Sequence, residues 1–189
     1  MESLFIKLAK YPIIETERLV LRPVTLDDAE AMFEYASNKE NTRYTFPTNQ
    51  SLEETKNNIA QFYLANPLGR WGIELKSTGE FIGTIDLHKM DTVLKKAAIG
   101  YIIHQKYWNQ GLTTEANRAV IELAFEKIGM NKLDAFHDKD NPASGKVMEK
   151  SGMRFSHEEP YARMDKNEPG RFVTDVHYVL TKEDYFANK

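Results

Sequence analysis

Short runs of apolar residues, several alternating with polar ones, predict seven strands, since a period of two buries one face of a strand. A turn at residues 77–79 joins two of the runs as a hairpin. The predicted strands cover residues 16–24, 71–75, 81–87, 97–104, 132–137, 153–158 and 172–180.

Four other segments carry apolar residues at helical spacing, which predicts helices with one buried face. Ser51 and Glu54 form a capping box before the second helix, and Gly129 supplies a left-handed cap after the third. Asn141 precedes a proline at the start of the fourth, a typical beginning for a helix. The predicted helices cover residues 26–36, 52–63, 112–128 and 142–150.

The order of these elements predicts the fold class. A strand, two helices and a hairpin-containing group of strands come first, and strand–helix–strand units follow. We therefore expect an α/β (mixed α+β) fold, with a twisted, mostly antiparallel sheet of about seven strands flanked by about four helices.

Composition narrows the class of protein without choosing a function. A chain of 189 residues predicts one domain, residues 1–189. The net charge of −3 gives no general attraction to nucleic acid or to anionic lipid, so neither partner is expected. The absence of cysteine excludes disulfides, thiolate metal sites and a cysteine nucleophile. No apolar run reaches membrane-spanning length, and the first ten residues lack the continuous core of a secretory signal, so we expect a cytoplasmic protein.

The segment 100–116 is the most informative part of the chain. An apolar strand leads into a short polar loop with one glycine, Gly111, and the loop opens directly into a helix. Backbone N–H groups and the positive end of the helix dipole then converge on one point. This arrangement predicts an anion site, most often occupied by a phosphate.

Several motifs together resemble the GNAT superfamily of acetyl-CoA-dependent N-acetyltransferases, and within it the ribosomal-protein alanine N-acetyltransferase branch. They are Gly100-Tyr101, the loop over residues 107–116, the Asn141-Pro-Ala-Ser144 segment, the opening segment 15–23 and the closing segment 178–185. The resemblance covers nearly the whole chain and implies a GNAT-like fold, acetyl-CoA as donor substrate, and an amine acceptor. That acceptor would be a protein N-terminus, such as that of a ribosomal protein, or a small amine.

The resemblance also implies where coenzyme A lies. The family's pyrophosphate loop, Gln/Arg-x-x-Gly-x-Gly/Ala, aligns with residues 108–113, where Gly111 matches and Trp108 and Thr113 depart. By this alignment the pantetheine arm bonds to the main chain of Ile102 and Ile103, and the amide near Ile103 stabilises the oxyanion. The alternative is a tight loop before a core helix. The expected pyrophosphate contacts are the backbone amides of Gln110, Gly111, Leu112, Thr113 and Thr114.

Several residues in and around the fourth helix each allow two interpretations. Asn141 either caps the helix or, as the resemblance implies, contacts the cofactor arm. Ser144 is either a solvated first-turn serine or, by the resemblance, the general acid that protonates the leaving thiolate. Lys146 and Arg118 either meet the phosphates or remain solvated.

The general base is open among four residues. On the strand 81–87, alternation places Ile82 and Thr84 on one face with Asp86 and His88, whereas Phe81, Gly83, Ile85 and Leu87 take the other face. Asp86 and His88 are therefore favoured. His104 and Glu74 are the other candidates, and an ordered water would also serve.

Other chemistry has little support in the sequence. The five histidines show no i, i+4 pair and no ligand cluster, so no metal is expected. The loop lacks the Gly-Lys-Ser/Thr ending of a nucleotide triphosphate site. A protein of the same fold that binds acyl-CoA without turnover, as a sensor or interaction module, remains the alternative. The polar segments 38–49 and 161–170 are expected to border the acceptor. We expect the chain to be a monomer or a homodimer.

Overall fold

The computed structural model describes residues 2–189 and contains one eight-stranded sheet. The strands run in the order β1-β2-β3-β4-β5-β6-β8-β7, and each neighbouring pair is antiparallel except β5 and β6. Their bounds are β1 Ile14–Glu15, β2 Leu19–Arg22, β3 Arg70–Leu75, β4 Phe81–Asp91, β5 Lys96–Ile103, β6 Lys132–Asp138, β7 Arg154–Met164 and β8 Phe172–Thr181.

Helices cover both faces of the sheet and bury an apolar core on each. The main core lies between the sheet and α1, α5 and α6, and a second, smaller core lies beneath α2 and α4. Within residues 2–189, no helix is long and apolar enough to cross a bilayer. The α-helices are α1 Leu4–Ala9, α2 Ala29–Ala36, α3 Lys39–Thr42, α4 Leu52–Asn58, α5 Leu112–Glu122, α6 Pro142–Lys150 and α7 Lys182–Ala187. Wider π-helical turns continue α4 over Ile59–Leu64 and α5 over Leu123–Ile128.

The fold class is confirmed, and the element counts differ for local reasons. The expected first strand is divided, because Thr16 bonds Leu19 in both directions and turns the chain between β1 and β2. The additional helices α1, α3 and α7 are four to six residues long and begin at side-chain caps from Ser3, Asn38 and Thr181. Such short helices carry too few apolar residues to show a helical period.

The alternation expected for β4 is wrong at its beginning. A register irregularity lies opposite it, between Ile73 and Glu74 on β3. As a result Phe81 packs in the second core beneath α2, and Ile82 packs in the main core with Ile85. A bulge of this kind reverses the faces of the residues on one side of it.

Gly83 allows β4 and β5 to lie close together, which supplies a test of the fold. A Cβ on Gly83 would overlap the carbonyl oxygen of Ile102 and lie 2.9 Å from the Cα of Ile103. Both obstacles are backbone atoms, so Gly83→Ala should lower the free energy of unfolding by about 2 kcal/mol. Urea unfolding measures this change. The control is Gly79→Asn, in an open turn at φ 74°, which asparagine tolerates; equal losses in the two variants would contradict the packing.

Candidate functional site

The parallel strands β5 and β6 pair over three residues only and then separate. Lys96 to Ala98 pair with Lys132 to Asp134, whereas β5 continues to Ile103 and β6 to Asp138. We call the gap between residues 99–103 and residues 135–138 the β5–β6 split. Its edges present strand backbone to the gap, so an extended polar molecule can bond there as an added strand.

The hydrogen bonds of β5 decide which backbone groups face the split. The amide of His104 donates to the Ile82 carbonyl on β4 at 2.7 Å. Because bonding direction alternates along an antiparallel strand, Ile102 bonds toward β4, and Tyr101 and Ile103 direct their N–H groups toward the split. Of the two expected main-chain positions, only Ile103 therefore lies at the split, and Tyr101 joins it.

Trp108 has a structural role that the loop motif did not reveal. Its indole N–H donates to the carbonyl of Ile103 at 3.0 Å, and the side-chain amide of Asn41 donates to the same oxygen at 3.1 Å. This fixes the end of β5 against the loop that follows. Where the family pattern has a polar residue, Trp108 therefore makes a structural hydrogen bond within the loop.

The loop after β5 has two left-handed residues directly before a helix. Asn109 and Gly111 both have positive φ, 59° and 75°, and α5 begins at Leu112. The first N–H groups of a helix have no partner inside it, and the left-handed Gly111 turns them outward. Residues 108–114, here called the anion loop, therefore offer amide donors where the sequence predicts a phosphate.

Arg18 and Glu115, which lie far apart along the chain, together hold the anion loop in place. Glu115 accepts from the Arg18 amide at 2.8 Å, from the Arg18 Nε at 2.6 Å and from the Thr16 hydroxyl at 2.7 Å. Arg18 Nη1 also donates to the carbonyl of Gln110 at 2.9 Å. We call this set the Arg18–Glu115 clamp. Burial alone would raise the pKa of the Glu115 carboxyl, but these bonds from Thr16 and Arg18 hold it below its usual value.

The clamp was missed in the sequence because its members are far apart along the chain. Arg18 lies in a segment that predicts only a strand, and nothing local links it to Glu115. Its guanidinium also lies 3.5 Å from where a Cβ of Gly111 would stand. A groove of about 840 Å³ beside the clamp includes Arg18, Gly111, Thr114 and Arg118 in its walls.

Helix α6 faces β5 across the split through a phenol and a hydroxyl. The Tyr101 hydroxyl donates to the carbonyl of Ser144 at 2.9 Å, and the Ser144 hydroxyl donates to the Tyr101 oxygen at 3.3 Å. Burial raises the pKa of Tyr101, so its hydroxyl stays protonated. Ser144 is therefore not a freely solvated serine, and Tyr101 is a site residue to which the sequence analysis assigned no role.

Three other residues on or next to α5 and α6 are candidates for contacts with the cofactor. Asn141 occupies the N-cap position of α6 with Pro142 at its first turn, as predicted, and its side chain makes no capping bond. Lys146 is exposed. Arg118 donates to the carbonyl of Lys150 at 3.1 Å and so caps the C-terminal end of α6.

Of the four candidate bases, the structure leaves two adjacent and partly exposed. His88 Nδ1 lies 3.3 Å from Asp86 Oδ1, and each side chain is 29% exposed. Gly100 on β5 lies beneath the pair, since a Cβ there would be 3.1 Å from both side chains. His104 accepts from the Lys106 amide, and Glu74 pairs with Arg22 at 2.6 Å, so both are occupied structurally.

Two histidines that are far apart in the sequence, His157 and His177, lie side by side in the fold. His157 and His177 stack with ring centroids 4.4 Å apart, and Glu159 bonds His177 at 3.0 Å. The fold thus brings together three side chains that no sequence spacing grouped. His137 is buried against α6, where a Cβ on Gly145 would lie 2.6 Å from its Nε2, so it is not at an exposed strand end.

Comparisons with known proteins agree with this geometry. A family model described as an acetyltransferase (GNAT) domain matches residues 18–154. YoaA of Bacillus subtilis, named an uncharacterized N-acetyltransferase, is 38% identical over 148 residues, which cover 76% of this chain and 84% of YoaA.

Solved structures share the architecture. An acetyltransferase of the GNAT family from Bacillus anthracis superposes with a TM-score of 0.78 at 26% identity, covering 90% of this chain and 99% of that one. The spermidine N-acetyltransferase of Vibrio cholerae, solved with CoA and spermine, gives 0.77 at 16% identity over 90% and 99% of the two chains, which shows a common fold. Because the family match spans most of the chain and includes both the anion loop and α6, this protein belongs to the GNAT acetyltransferase family.

Proposed function

We propose that this protein transfers the acetyl group of acetyl-CoA to a primary amine by direct attack of the neutral amine on the thioester. The observation that carries the proposal is the β5–β6 split, which has the anion loop at the end of β5 and Tyr101 and Ser144 across it. Family membership supports the same reaction.

The chain fits the donor substrate along its length. Amides of residues 110–114 would bind the pyrophosphate, and the split would take the pantetheine arm along Tyr101 and Ile103. By the family resemblance Asn141 would contact that arm, and its side-chain amide makes no capping bond that would compete. Acetyl-CoA supplies the activated thioester, and the N–H of Ile103 supports negative charge on its carbonyl oxygen.

Proton transfers are assigned to two separate pairs. The imidazole of His88, hydrogen-bonded to Asp86, accepts the proton of the incoming ammonium through ordered water. Water is needed because His88 pairs with Ala98, five residues along β5 from Ile103. On the other side of the reaction, Tyr101 positions the Ser144 hydroxyl, which leaves the Tyr101 oxygen to give its proton to the departing thiolate and regains a proton from solvent. Tyr101 is a positioning residue in this account, because it acts through Ser144.

The two polar segments expected to border the acceptor contact each other. The side chain of Asn167 in the β7–β8 loop bonds the Thr48 amide at 2.9 Å and the Phe46 carbonyl at 3.0 Å, so the two segments expected to border the acceptor meet. The resemblance favours a protein N-terminal α-amine, such as that of a ribosomal protein, or a small amine. The alternative is an acyl-CoA sensor without turnover.

Thiol release separates these two functions. Acetyl-CoA should raise the melting temperature of the protein, and one class in a panel of ribosomal N-terminal peptides and polyamines should release free thiol. Thermal stabilisation without thiol release from any amine would favour the sensor. No stabilisation by acetyl-CoA would contradict both functions.

Replacing Gly111 by valine tests the anion loop. A β-branched residue is strained at φ 75°, so the loop must change shape and its amides lose their common direction. The dissociation constant for CoA should rise by about tenfold or more, which corresponds to about 1.4 kcal/mol. Isothermal calorimetry measures it. Gly170→Val, at φ 86° in the β7–β8 loop, imposes similar strain and should leave CoA affinity unchanged; similar losses in both would remove the assignment.

Replacing Asp86 or His88 tests whether these side chains accept the proton of the amine. Asp86→Asn and His88→Gln should each lower kcat/KM for the amine about 100-fold at neutral pH while the KM for acetyl-CoA stays constant. The loss should shrink as pH rises, because the neutral amine then forms without a protein base. Steady-state kinetics across pH check this, and a pH-independent loss would point to a structural role.

A further inference from the structure

Three potential metal ligands meet on the β7–β8 ribbon, outside the site described above. His157 on β7 lies directly opposite His177 on β8, and Glu159 follows two residues along β7. One donor atom from each of the three lies within 4.8 Å of the others, and residues 2–189 contain no second such group of three or more histidine, aspartate or glutamate side chains. Positions 157 and 159 share a face because side chains alternate along a strand.

A β-bulge creates this arrangement. Arg154 and Phe155 pair with Val179 and Tyr178, and the register then shifts by one residue before His157 pairs with His177. Without the shift, Ser156 would lie opposite His177. Bulges are often used to redirect a side chain, and here the result is two imidazoles and a carboxylate on one face.

We propose that His157, Glu159 and His177 bind a divalent transition-metal ion of the Zn²⁺ class. Two imidazoles and one carboxylate suit ions of intermediate softness, whereas Mg²⁺ and Ca²⁺ prefer oxygen ligands alone. His177 Nε2 and Glu159 Oε2 are 3.0 Å apart. That separation suits two ligands of one ion, since bonds of about 2.0–2.1 Å at a tetrahedral angle place ligand atoms about 3.3 Å apart.

Binding requires one side-chain rotation. The two rings are parallel within 3°, and one ion cannot lie in both ring planes at once. His157 is exposed and is free to turn, whereas His177 is half-buried against Phe136, with ring centroids 5.6 Å apart. The Nδ1 of His157 lies 3.0 Å from the Ser156 hydroxyl, which leaves its Nε2 for the ion.

The bound ion would join the edge strand β7 to β8 next to the bulge. At this point the antiparallel ladder is interrupted, so a bond through the metal replaces a missing backbone connection. The site lies apart from the anion loop, whereas His177 packs against Phe136, which lies at the β6 edge of the split.

Zn²⁺ titration of the full chain, without a histidine tag and after chelator treatment, tests the proposal. Calorimetry should give one ion per chain, and Zn²⁺ should raise the melting temperature by several degrees, while Mg²⁺ should not. His157→Gln, Glu159→Gln and His177→Gln should each weaken binding by more than about tenfold, since losing even an outer-shell partner costs that much.

A matched variant and a spectroscopic signal complete the test. Glu158→Gln alters the adjacent carboxylate, which pairs with Lys139 instead, and should bind Zn²⁺ as the wild type does. Co²⁺ should give visible absorption bands that disappear in the His157→Gln and Glu159→Gln variants. The proposal is overturned if the wild type shows no saturable Zn²⁺ binding, or if the double variant His157→Gln/His177→Gln keeps wild-type affinity.

Discussion

The early separation of β5 from β6 is the constraint on which the rest of the site depends. Strand backbone needs hydrogen-bond partners, and beyond Ala98 and Asp134 these two strands no longer supply them to each other. The gap lies inside the sheet rather than at its edge, so the structure is incomplete without an extended ligand or solvent there. The elements on either side are held by other means: β5 by β4, with Gly83 permitting the close approach, and α6 by the bond between Tyr101 and Ser144.

A second constraint is that the anion loop must keep its shape before any ligand arrives. Loops that bind through backbone amides depend on fixed φ and ψ angles, and the glycine that permits the shape also makes it flexible. The Arg18–Glu115 clamp answers this problem by joining the first hairpin of the sheet to the first turn of α5. Trp108 acts similarly from inside the loop by bonding to the end of β5.

Much of the fold and part of the site follow from local sequence. The long elements are specified by apolar period, and Gly129 adopts the left-handed conformation predicted for it. Asp86 and His88 come together because both lie on one strand two residues apart. These features depend on neighbours along the chain, which sequence patterns record.

Features that depend on register or on distant partners could not be predicted in the same way. One-residue shifts on β4 and β7 exchanged the faces of Phe81 and Ile82 and brought His157 opposite His177, and no local pattern marks such a bulge. The pairing of Arg18 with Glu115 needs the tertiary fold, as does the contact between Tyr101 and Ser144. The directions of the Ile102 and Ile103 amides likewise follow from the pairing phase with β4.

The pairing of β5 with β4 determines which N–H groups of β5 face the split, so this central claim can be measured directly. Residue-resolved amide hydrogen exchange, followed by NMR with and without saturating CoA, reports which N–H groups gain a partner. The account predicts new protection at Tyr101, Ile103 and the anion loop, with Ile102 equally protected in both states through β4. Protection confined to other surfaces, or unchanged exchange at Tyr101 and Ile103 in the saturated complex, would contradict it.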